Sequence, residues 1–71
     1  MQVLLRQGDK YLQRTGSWGP KETARDFTSG FIAYCWAKER KLLGAEVLLA
    51  FHDPRLDIVV FRVEGLPEKA G

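Results

Sequence analysis

Two stretches near the carboxyl end decide the fold: Ala45-Glu-Val-Leu-Leu-Ala-Phe-His52 and Asp57-Ile-Val-Val-Phe-Arg-Val63. Both are rich in β-branched, aliphatic and aromatic residues, which suit a pleated surface. Between them, Asp53-Pro54-Arg55-Leu56 offers Asp at the first turn position and Pro at the second, a type I signature. A two- or four-residue connection around Pro54-Arg55 places His52 opposite Asp57, and period-2 alternation then sorts the faces. One face carries Leu48, Ala50, Val59, Phe61 and Val63. The other carries Ala45, Val47, Leu49, Phe51, Ile58 and Val60, interrupted only by Arg62. Strands apolar on both sides are normally covered on both.

Upstream lies one substantial helix. Thr28 or Ser29 can cap it, residues 30–43 can form it, and Gly44 can stop it. Lys38, Arg40 and Lys41 then sit at the negative end of its dipole. Phe31-Ile-Ala-Tyr-Cys-Trp-Ala37 is apolar around the whole circumference, where a surface helix shows one stripe. At 100° per residue Phe31, Cys35 and Leu42 cluster, with Ile32, Trp36 and Leu43 extending the arc, and Ala33 and Ala37 fall on another side. Glu39 lies within the broad arc; at a frayed helix end it reaches water. One helix cannot cover two sheet faces. A few hundred Å² left bare corresponds to on the order of 10 kcal/mol before association costs. The surplus predicts a symmetric homodimer, or a permanent protein partner, on the C-terminal hairpin and the first half of the helix, through Phe31, Val47, Leu49, Phe51, Ile58 and Val60.

At the amino end, residues 2–7 and 10–15 flank Gly8-Asp9, where Gly suits a type II′ turn. That register puts Leu5 opposite Leu12 and Val3 opposite Arg14. Val3, Leu5 and Leu12 share a dry face; Gln2, Leu4, Arg6, Tyr11, Gln13 and Thr15 form a mostly wet one. Gly16-Ser-Trp-Gly-Pro20 reads as a loop, and residues 22–27 as a helical turn. Residues 64–71 read as a frayed tail. The whole is one small α+β domain over residues 1–63: a mainly antiparallel four-stranded ββαββ sheet with one helix packed on one face.

Size and composition agree with association. The chain has 71 residues, 45% of them apolar and 28% charged, which is a globular balance. A domain near 60 residues buries only about 60% of its unfolded surface and is marginal alone. A single Cys forbids an internal disulfide, and a single His makes a metal staple a poor prospect, which leaves oligomerisation. One cysteine suits a reducing cytoplasm. Eleven basic against nine acidic residues, formally +2, do not by themselves imply nucleic acid or an anionic membrane. The longest apolar run, Phe31 to Ala37, falls far short of the roughly 20 residues that span a bilayer. Met1-Gln-Val-Leu-Leu-Arg6 lacks the basic start and long apolar core of a signal peptide.

Candidate chemistry is sparse. Cys35 and His52 can in principle form a nucleophile–base pair, but a thiol in an apolar helix behaves as a small hydrophobe. His52, Asp53 and Asp57 can hold an ion or move a proton; the simpler reading has Asp53 setting the turn and His52 pairing with Asp57. Arg6, Tyr11, Arg14 and Trp18 lie in the most basic segment, with Lys10 and Lys21. They are the candidate contacts of a small RNA- or DNA-binding protein, an alternative to the interaction module. Against this, the basic residues divide between faces and Asp9 sits among them. Trp18 can instead be a lid over the core. A pocket at a subunit boundary would draw on Tyr34, Glu39, His52 and Arg62. No catalytic constellation, cofactor or metal is expected.

The spacing of Trp18, Ala24, Phe27, Thr28, Ala33 and Ala37 resembles that of small bacterial domains of unknown function built from a hairpin, a helix and further strands. The likeness covers about residues 11–50 and implies a fold, with no activity or binding residue attached. Where such domains more often carry acidic residues, this chain has Gly30, Phe31 and Ile32.

Overall fold

A computed structural model describes residues 1–64. In chain order the elements are β1 (Gln2–Gln7), β2 (Lys10–Leu12), β3 (Trp18–Gly19), α1 (Gly30–Glu39), β4 (Glu46–Ala50) and β5 (Ile58–Arg62), with short 3-10 turns at Lys21–Thr23 and Pro54–Leu56. The strands form one antiparallel sheet in the order β3-β2-β1-β4-β5, and α1 packs on one face. The α+β class stands. The sheet has five strands, one more than the sequence suggests. From residue 65 onward the expected tail lies outside the described residues.

The additional strand is β3, within the stretch that reads as a loop. Tyr11 pairs with Gly19 and Leu12 with Trp18. A Cβ at Gly19 would lie 3.2 Å from the Gln13 side chain, whose amide donates to the carbonyls of Tyr11 and Pro20. The glycine that signals a loop is thus a site of close approach within a sheet. The first hairpin has its expected register, with Arg6 opposite Tyr11, Gln7 opposite Lys10 and Gly8 at φ +64°. Val3, Leu5 and Leu12 are buried together beneath the helix.

The opposite face of that hairpin is drier than expected. Leu4 is fully buried with Ala24 and Ala50, and Tyr11 packs against them. Residues 24–27 make this cover. They are extended rather than helical because their backbone groups find partners in the sheet: Arg25 N–H donates to Leu12 C=O at 2.8 Å and Phe27 N–H to Val3 C=O at 2.8 Å. The Asp26 carboxylate accepts from Val3 N–H at 3.0 Å. This strap turns Ala24 to one side of the sheet and Phe27 to the helix side.

Ser29 caps α1, its hydroxyl accepting from Ile32 N–H. The helix ends at Glu39, not at residue 43. Lys41 takes φ +56°, Leu42 N–H bonds Ala37 C=O and Lys41 N–H bonds Lys38 C=O, the two bonds of a Schellman motif. A lysine, not Gly44, occupies its left-handed position. The face presented to the sheet is also not the bulky one. Ala33 and Ala37 are fully buried, with Tyr34 and Trp36 as flanking walls. Small residues let the helix approach closely; a Cβ on Gly30 would lie 3.4 Å from Phe61. Phe31 and Ile32 consequently face outward.

The second hairpin departs from its expected register. Leu49 pairs with Ile58 and Leu48 with Val59, but Val47 pairs with Phe61, so Val60 is an extra residue in a β-bulge. The Asp53-Pro54 turn forms as expected, Leu56 N–H donating to Asp53 C=O at 2.9 Å. The strands nevertheless end earlier, and His52 is not opposite Asp57. Alternation holds along β4, with Val47 and Leu49 toward the helix and Leu48 and Ala50 away. In β5 the bulge shifts Phe61 and Val63 to the helix side, alongside Ile58 and Val60, instead of grouping them with Val59.

Candidate functional site

Every residue of β5 is exposed. Among the described residues it is the last strand, hydrogen-bonded only to β4, so its other edge is open there. Ile58, Val59, Val60 and Phe61 are 52, 40, 38 and 42% exposed, a run of four apolar residues without proline, glycine or charge. Beside it the first turn of α1 shows Phe31 at 67% and Ile32 at 56%. Tyr34 joins the two elements, its ring centroid 5.3 Å from that of Phe61. An edge strand normally carries charge or stays short to avoid templating another chain. Here Arg62 at the strand's end and the bulge at Val60 serve that purpose, and the run between them carries no charge.

Of the six residues expected at an interface, Phe31, Ile58 and Val60 lie on this surface. Leu49 and Phe51 are half-buried, and Val47 is fully covered by the chain's own helix. Val59, Phe61 and Ile32 join the surface instead. Alternation alone misplaces Phe61, because a bulge leaves no periodic mark in a short apolar run.

Away from the helix, three strands meet in one ion cluster. Arg6 donates through Nη2 to Glu46 Oε1 at 2.7 Å, and Arg62 Nη2 donates to the other carboxylate oxygen. Hydrogen bonds first from Arg6 and then from Arg62 hold the Glu46 carboxyl below its ordinary range, and the same contact raises the Arg6 guanidinium. At the far end of β5, Asp57 accepts from Lys21 Nζ at 2.5 Å and from Phe51 N–H at 2.9 Å. Burial works to raise the Asp57 pKa, but the Lys21 ammonium and the Phe51 amide outweigh it, and the net value is lowered. Lys21, not His52, is therefore the partner of Asp57, because the longer connection leaves His52 exposed. Asp53 caps its own turn, accepting from Arg55 N–H at 3.0 Å.

The four polar-pocket residues do not converge. Tyr34 packs on Phe61 on the helix side, Arg62 reaches Glu46 on the opposite face, and Glu39 and His52 are exposed at separate ends. Two open cavities, about 370 Å³ at Gln2, Arg14, Glu22, Thr23 and Ala24 and about 260 Å³ at Lys38, Lys41, Leu43, Val63 and Glu64, contain none of them. Arg6, Tyr11, Arg14 and Trp18 likewise form no single surface. Arg6 and Tyr11 occupy the face away from the helix, with Arg6 held by Glu46, while Trp18 packs half-buried against the helix-side core, as a lid would. Cation–aromatic stacking occurs elsewhere: the Arg40 guanidinium lies 3.9 Å from the Trp36 centroid and that of Arg25 4.5 Å from Phe27.

Cys35 is a free, half-buried thiol on α1. Among the described residues no group of three His, Cys, Asp or Glu side chains is placed to hold a metal ion, and no helix is long and apolar enough to cross a membrane. Compared with protein-family models, curated proteins and solved structures, the chain matches none of them.

Proposed function

We propose that this chain is a non-enzymatic interaction module, an accessory subunit that self-associates through β5 and the adjoining start of α1. The observation that carries this reading is the uninterrupted exposed run Ile58 to Phe61 on an open strand edge. Contiguous apolar surface of this kind marks interaction sites, and a chain of this length gains from association. Helix, strap and ion cluster cover the rest of the sheet, so the uncovered surface is narrower than the whole hairpin and lies at one edge. One half-buried thiol supports placing the module in a reducing compartment, the cytoplasm. Sedimentation velocity at micromolar concentration tests the central claim: a dimer supports it, and a folded, soluble monomer throughout that range overturns it.

A further inference from the structure

We infer that β5 pairs with β5 of a second copy, antiparallel about a two-fold axis perpendicular to the sheet, giving one continuous ten-stranded sheet with both helices on the same face. The inference rests on self-association and adds its geometry.

Three observations favour a second copy as the occupant. The first is extent. Ile58, Val59, Val60, Phe61, Phe31 and Ile32 together expose roughly 600 Å² at their observed fractions. Backbone included, this matches the lower end of standard interfaces, about 600 Å² per partner. The second is charge order. Asp57 precedes the apolar run and Arg62 ends it. Antiparallel pairing sets the acidic end of each strand against the basic end of the other, whereas parallel pairing would set like against like.

The third is register. Ile58 and Phe61 stand on the helix face, Arg62 and Val59 on the other. Directly opposed residues must share a face. Val59 opposite the partner's Val59, with Ile58 opposite the partner's Val60, satisfies that rule on both sides of the axis. A slip of one residue toward the carboxyl end sets Ile58 against the partner's Phe61 but Val59 against the partner's Val60, on opposite faces, and breaks it. The bulge contributes as well: Val60 and Phe61 both turn toward Gly30, widening the apolar strip that continues into Phe31. Near the axis, Phe31 of each copy would then extend the contact above the joined strands.

The test uses the full chain. The wild type is expected to dimerise, with the backbone amides of residues 58–62 gaining hydrogen-exchange protection as concentration rises while those of β1 stay constant. Val59→Lys puts a charge at the centre of the joint on the side away from the helix. It should raise the dimer dissociation constant at least about a hundredfold, with the near-ultraviolet circular dichroism of Trp18 and Trp36 unchanged. For the register, Ile58→Cys and Val60→Cys chains, both in a Cys35→Ser background, should form the mixed disulfide in preference to either homodisulfide. A dimer that resists Val59→Lys and leaves residues 58–62 unprotected overturns β5 pairing while self-association stands. Preferential homodisulfides overturn the register. A monomer at every concentration overturns pairing and self-association together.

Discussion

Glu46 is the residue on which three strands depend. It accepts from Arg6 of β1 and Arg62 of β5 while belonging to β4, with its side chain only 17% exposed. Glu46→Gln removes the charge and leaves two guanidinium groups facing each other on a partly dry surface. Urea denaturation should show a loss of about 1 to 2 kcal/mol, the scale of charge-assisted hydrogen bonds reduced by partial exposure. Acid should act through the same groups. Glu46 and Asp57 titrate below their ordinary values of 4.5 and 3.8 for the reasons above, and Asp26 does so because the amides of Val3 and Thr28 donate to it. The folded chain therefore binds fewer protons than the unfolded one near those values. The stability the carboxylates add is complete above their ordinary pKa values and is lost as pH falls through the depressed ones. Melting temperatures should be nearly flat from about pH 7 to 5 and decline below about pH 4; a melting temperature that holds to pH 2 would remove these contacts from the account.

Among the elements, α1 shows most clearly what local sequence can and cannot decide. Its capping serine is legible because Ser29 stands directly before an apolar run. Its end is misread because Gly44 offers the better left-handed residue, yet Lys41 takes that conformation. The cause lies in the contacts that follow. Leu42 packs against the core that contains Ala37, and Ala45 must arrive at the sheet edge opposite Val63, which leaves no room for another helical turn. Lys41→Gly should then relieve the positive φ and raise stability by about 0.5 to 1 kcal/mol, read from the denaturation midpoint. A loss would mean that the lysine stem contributes packing beyond its backbone strain. The buried face was equally hidden. Counting side-chain bulk favours Phe31 and Ile32, whereas close helix–sheet approach selects Ala33 and Ala37.

For the whole molecule, the decisive quantity is where apolar cover runs out. One helix on one face, a strap of residues 24–27 and the ion cluster on the other leave the β5 edge bare. An interface built on such a patch should respond little to salt, unlike one built on phosphate contacts. Dimer affinity measured between about 0.05 and 0.5 M salt should change by less than about threefold, because the charged ends contribute only modestly under screening. A steep decline would place the interface on the basic surface instead. If folding is coupled to assembly, the melting temperature should also rise with chain concentration.

By itself the sequence determined the main helix and the two hairpins, the register of the first, the capped helix start and the excess of apolar residues in the C-terminal strands. These follow from local spacing and turn chemistry, which act within a few residues. Tertiary structure decided which part of that excess stays uncovered. Strand order makes β5 an edge, a bulge at Val60 redistributes its side chains, and a distant strap closes over Leu4. Each of these is a hydrogen-bond pairing between residues far apart in the chain, and residue type alone does not specify such pairings.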